Sequence, residues 1–171
     1  MSWLVKGAES RDDLLALHPA LAADHQRVLD EVWRSTVDAR ILELCRLRTA
    51  AILNNRRAWD EPRSEVAVTA GLDESLVAVL AQWQSHPGFD EATRACLGLA
   101  EQYVMDVHGI TDAQVADVES HIGAHGVITL TTALAIWEIT HRFDNALLDP
   151  ALLDPALLDP ALLDSPSEGD S

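Results

Sequence analysis

Apolar residues recur at helical spacing along most of this chain, and Gly, Pro and small polar residues cut the pattern into segments. Ser10 and Asp13 make a capping signal ahead of Leu14, Leu15 and Leu17. Pro19 suits a first helical position and opens a helix through Leu21, Val28, Leu29 and Val32 to about Arg34. Asp38 caps a helix over about 39–53, whose apolar residues wrap most of its circumference and so place it at the centre of the fold. A helix is predicted over about 60–70, with Pro62 near its start and Gly71 at its end, and Asp73 caps another over 74–84. Ser85-His86-Pro87-Gly88 reads as a turn, Asp90 caps a helix to about Val107, and Thr111 with Gln114 forms a capping box for 112–124. Residues 127–146 are rich in β-branched side chains, but twenty residues without a turn signal are too many for a strand. Leu130, Leu134 and Trp137 also share one helical face, so this segment is read as helix.

The predicted fold is therefore all-α, a bundle of six to eight helices over residues 1–147. Composition agrees: 48% of residues are hydrophobic and only 5% aromatic, which favours packed aliphatic helices over a sheet. From Ala146 onward Ala-Leu-Leu-Asp repeats four times, with Pro150, Pro155 and Pro160 between the copies. A proline every five residues removes a helical donor each time, so residues 148–171 read as an acidic low-complexity tail. The alternative is that its Leu pairs dock in a groove of a neighbouring subunit.

A net charge of −16 argues against nucleic-acid and anionic-membrane partners, because phosphate contact needs a basic surface. No apolar run was expected to reach the ~18 residues of a bilayer span. The first seven residues are too short and too polar for a signal peptide, so a cytoplasmic location is expected. Cys45 and Cys96 lie far apart on apolar segments and read as buried free thiols. His121 and His125 are four residues apart, but nothing nearby completes a ligand set, so no metal and no other cofactor is expected.

Residues 39–63 and 141–147 carry a more specific signal. Glu43-Leu44-Cys45-Arg46-Leu47-Arg48 has the form E-L-x-x-L-R; Trp59, Ala70-Gly71-Leu72 and His141-Arg142-Phe143-Asp144-Asn145-Ala146-Leu147 follow at matching intervals. Over about residues 11–146 the chain resembles the carboxymuconolactone decarboxylase / alkylhydroperoxidase D-like family, whose closing motif is N-R-F-x-N-A-L. In the peroxidase-like branch of that family, C-x-x-C and a His four residues later supply two thiols and a proton relay. Anchored on Leu53-Asn54 and Gly71, this chain has Arg56, Trp59 and Arg63 at those places; anchored on Arg48 and Trp59, it has Asn55 at the Cys and Pro62 at the His. Neither anchoring leaves a thiol or an imidazole, and neither Arg nor Asn replaces a thiolate nucleophile.

The resemblance thus implies a site without thiol chemistry. Arg40, Arg46, Arg48, Arg56, Arg57 and Arg63 are half of all the cations, within 24 residues of an acidic chain. Guanidinium forks bind carboxylates bidentately, so the expected ligand is a small carboxylated molecule. Arg48, Asn55, Arg56, Trp59 and Arg63 would bind it, with Trp59 as an apolar wall, while Glu43 and His141 would handle protons. If residues 56–63 were helical, Arg56, Trp59 and Arg63 would share a face; Arg11 and Arg94 are read as lying outside the site. The bland alternative pairs these arginines with Glu43, Asp60, Glu61, Glu65 and a neighbouring subunit. Three functions remain open: a lyase-like enzyme of the decarboxylase type, a non-catalytic oligomeric binding or scaffold protein, and, least favoured, alkylhydroperoxidase activity. A homo-oligomer is the expected assembly.

Overall fold

The structure, a computed structural model, describes residues 10–148. Residues 149–171, which hold nearly all of the repeat tail, lie outside the described residues. The described residues form eight α-helices: α1 (Arg11–Leu15), α2 (Pro19–Trp33), α3 (Ala39–Ile52), α4 (Arg56–Asp60), α5 (Glu65–Thr69), α6 (Glu74–Ala78), α7 (Glu91–Met105) and α8 (Asp112–Leu147). Short 3-10 turns lie at Leu80–Gln82 and Val107–Gly109.

Most helix starts are set by the local chemistry of the sequence. Ser10 and Asp13 exchange side-chain and backbone hydrogen bonds in a complete capping box. Asp38, Asp73, Asp90 and Thr111 each accept a backbone N–H of the first turn they cap. The core is the layer between α3, α7 and α8, with α2 packed on α8. Leu42, Leu47, Leu97, Leu130 and Leu134 are fully buried within it. Trp33 and Trp137 meet at 6.0 Å between ring centroids, tilted by 45°, and tie α2 to α8.

Three expectations change. The helix read over about 60–70 is two short helices, α4 and α5. Asn55 caps α4, which ends at Asp60, and Pro62 lies in the link before α5 begins at Glu65. The last two predicted helices are one long element, α8, broken at Gly123 with φ 71° and ψ 167°. Its β-branched residues do not prevent a helix, because Leu130, Leu134 and Trp137 are buried along one face. By length and composition alone α8 is also long and apolar enough to cross a membrane, contrary to the sequence reading. The core helix of a globular fold meets the same criterion, and α8 packs its buried face on α3 and α7.

The break at Gly123 gives a direct test. Its backbone lies in a region open essentially to glycine alone, yet a Cβ there would meet no atom within 4 Å. Gly123→Ala should therefore destabilise the protein by about 1–3 kcal/mol through backbone strain alone. Gly98, inside α7, has only Trp83 near its Cβ position, at 3.4 Å. Gly98→Ala should be neutral or stabilising by up to about 1 kcal/mol, since alanine is the better helix former. Urea unfolding of the two variants checks both signs.

Candidate functional site

Five charged side chains and one histidine meet where α1, α3, the ends of α4 and the last turns of α8 converge. Glu43 and Arg46 are three residues apart on α3 and so share a face. Glu43 is fully buried. Arg46 grips it with two parallel bonds, Nε to Oε2 at 3.0 Å and Nη2 to Oε1 at 2.6 Å. Arg46 Nη1 also donates to the Ala58 carbonyl at 3.1 Å, which holds α4 against α3. A second fork lies beside the first: Arg11, from α1, donates through Nε to Asp144 Oδ1 at 2.8 Å and through Nη2 to Asp144 Oδ2.

Asn55 joins this ion-pair layer to His141. Its Oδ1 accepts the Ala58 N–H at 3.0 Å, which caps α4 and fixes the amide orientation. Its Nδ2 then donates to Asp144 Oδ2 at 2.9 Å and faces His141 Nδ1 at 3.2 Å. A nitrogen facing an amide N–H is an acceptor, so the ring proton of neutral His141 belongs on Nε2. That Nε2 is buried and has no hydrogen-bond partner among the described residues. Burial, reinforced by the Arg46 charge, pulls the His141 pKa from 6.5 down to about 4. The ring is therefore neutral at pH 7, and it lies close enough to the Arg46 backbone for a weak contact that partly offsets the burial.

His141 lines a cavity of about 190 Å³ together with Arg11, Arg46 and Glu61, while Trp33 and Trp137 form its apolar wall. Glu61, at the end of α4, bridges both guanidinium groups loosely: Oε1 lies 3.4 Å from Arg11 Nη2 and Oε2 lies 3.9 Å from Arg46 Nη1. His25 Nε2 contacts Thr140 Oγ1 at 3.0 Å, so this half-buried histidine faces α8.

The residues named from the sequence divide between several places. Glu43, Asn55 and His141 belong to the network just described. Asn55 also lines a second, more open cavity of about 290 Å³ with Arg56 and Trp59. There Arg56 is 89% exposed and sits 3.6 Å from Asp60, so no unpartnered buried group points to a ligand. Arg63 does not share a helical face with them: α4 has ended, and Arg63 donates to the Trp59 carbonyl at 2.8 Å and to Glu74 at 3.1 Å. Arg48 is two residues from Arg46, which on a helix is nearly the opposite side. It pairs with Glu101, which also accepts Trp83 Nε1 at 2.7 Å. Arg11, read as distant, is part of the network. Arg46 and Asp144 were present in the motifs but were not singled out; both lie three residues from a named residue, Glu43 and His141. Cys45 and Cys96 are buried free thiols; burial pushes the first well above its usual pKa and the second up to about 12.

No protein-family model and no curated protein matches the sequence. Among solved structures, the chain is similar to a protein of unknown function from Agrobacterium tumefaciens, described as a candidate antioxidant defence protein AhpD. The match has a TM-score of 0.68 at 18% identity and covers 78% of this chain and 92% of that one.

The depressed pKa of His141 carries a pH signature. Between 6.5 and about 4 the unfolded chain binds a proton that folded His141 refuses, so stability present above pH 6.5 is lost as the pH falls toward 4. Urea unfolding at pH 7 and pH 4.5 should show the parent losing about 2–3 kcal/mol more than a His141→Gln variant. Equal losses would mean that His141 titrates normally in the folded protein. With its helices packed about α3 and α8, the chain has the all-helical fold of AhpD-like proteins.

Proposed function

We propose that this protein is a member of the carboxymuconolactone decarboxylase / alkylhydroperoxidase D-like family that has left thiol chemistry and binds a small carboxylated compound in the cavity beneath Glu61. The observation that carries this reading is a cavity flanked by Arg11 and Arg46 that the buried, neutral ring of His141 also lines. Arg11 and Arg46 present guanidinium groups on the cavity wall, and the two tryptophans offer an apolar surface for the rest of a small acid.

The arrangement favours polarisation over proton transfer. A neutral imidazole N–H is a weak acid but a good hydrogen-bond donor to a carbonyl or carboxylate oxygen that gains charge. Glu43 is tied by two bonds to Arg46 and serves to hold that guanidinium, so the proton-handling role read for it from the sequence passes to no other residue. In a lyase-like reaction His141 would stabilise a developing enolate or carboxylate. As a binding protein, the same contacts would fix orientation. Copies of the chain are proposed to associate through the apolar groove lined by Leu21, Val28, Ile136 and Ile139.

A thermal-shift series with small mono-, di- and tricarboxylates tests the reading. A ligand at a hundred times its Kd should raise Tm by roughly 5–10 °C. His141→Phe should abolish the shift, His141→Gln should keep part of it, and Arg56→Ala should leave it intact. Loss of the shift in Arg56→Ala but not in His141→Phe would move the ligand to the other cavity and overturn the assignment.

A further inference from the structure

Three carboxylates face two guanidinium groups at this site, and they are not equivalent. Glu43 and Asp144 are buried, and each is held by a two-bond fork from its own arginine. Glu61 is the surplus. Its side chain is 39% exposed, its two contacts are long, and it reaches both arginines at once. It also stands where a ligand carboxylate would stand, on the cavity wall that holds His141. Its backbone has left the helix, with φ −58° and ψ 151°, and Pro62 follows in a link that belongs to neither α4 nor α5.

We infer that Glu61 is an internal stand-in for the ligand: its carboxylate occupies the position between Arg11 and Arg46, and a small monocarboxylate binds by displacing it into solvent. This rests on the reading of the cavity as a carboxylate site and adds who must leave when the ligand arrives. Exchange keeps the local charge constant, because one carboxylate replaces another beside the same two cations. A neutral amide of the same shape gains less from the exchange, since it puts no charge in place of the carboxylate that leaves the two guanidiniums. The site thus selects the ionised acid, and the half-exposed position of Glu61 gives it somewhere to go. Exposed ion pairs of this kind are weak, which suits a group that must be displaced.

The probe is benzoate, with benzamide as its neutral counterpart, titrated calorimetrically into the parent and into Glu61→Gln and Glu61→Ala. Removing the competing charge should tighten benzoate by roughly two- to fivefold in both variants, the equivalent of one exposed ion pair. Benzamide should be unaffected. If benzoate binds the parent and binds Glu61→Gln no more tightly, Glu61 is not a stand-in, while the carboxylate site itself survives. If benzamide tightens as much as benzoate, Glu61 acts only as a steric cover, and the inference falls. If benzoate binds none of the three proteins, both the inference and the function it rests on are overturned. The pH 7 unfolding midpoint of each variant, expected within a few degrees of the parent, shows that the comparison is made between folded proteins.

Discussion

Burying Glu43 is the constraint on which this site is built. A carboxylate with no exposed surface, in the central helix of the bundle, must be paired and hydrogen-bonded or it would cost several kcal/mol. Arg46 meets that demand, and in doing so it is committed to one geometry. Its remaining N–H reaches the Ala58 carbonyl and locates α4. Asn55 then caps α4 and orients toward α8. Asp144 sits beside Asn55 and fixes Arg11, which in turn anchors α1. Asn145 adds a bond of 2.7 Å to the Leu53 carbonyl at the end of α3. A chain of polar contacts thus runs through four helices and leaves one atom, His141 Nε2, without a partner.

The cavity beside this network is what the proposed site adds to a purely structural reading. Ion pairs alone would fit the bland alternative that these arginines serve packing, and for Arg48, Arg56 and Arg63 the contacts observed are of that kind. Arg11 and Arg46 differ because they flank a cavity that the His141 ring also lines. Anchored on Arg48 and Trp59, as the resemblance to the decarboxylase-like branch suggests, the family's Cys position falls on Asn55, an amide whose oxygen caps a helix and whose nitrogen orders a histidine. Asn55 can organise the site but cannot attack a substrate. The two cysteines are no substitute, buried as they are with raised pKa values.

The fold was legible because helices announce themselves locally. Ser10, Asp38, Asp73, Asp90 and Thr111 act as caps within a few residues of where they stand, and the buried stripe of α8 overrode its β-branched composition. The site was legible only in part. Glu43, Asn55 and His141 came from the resemblance, but the same frame favoured Arg48 where helical phase favours Arg46. The segment 56–63 was misread because Asn55 was weighed as a motif residue and not as a cap, which hid the start of α4 and the link at Pro62. Arg11 could not have been found: its partner Asp144 is 133 residues away, and no local rule connects them.

The account turns on the protonation of one ring. Long-range ¹H–¹⁵N correlation spectra of the histidine side chains at pH 7, assigned with His141→Gln, report the tautomer directly. The structure requires a neutral His141 with its proton on Nε2 and a bare Nδ1 facing Asn55, persisting as the pH is lowered until it nears 4. A charged imidazolium at pH 7, or a neutral ring with the proton on Nδ1, would contradict the arrangement of Asn55 and His141 described above.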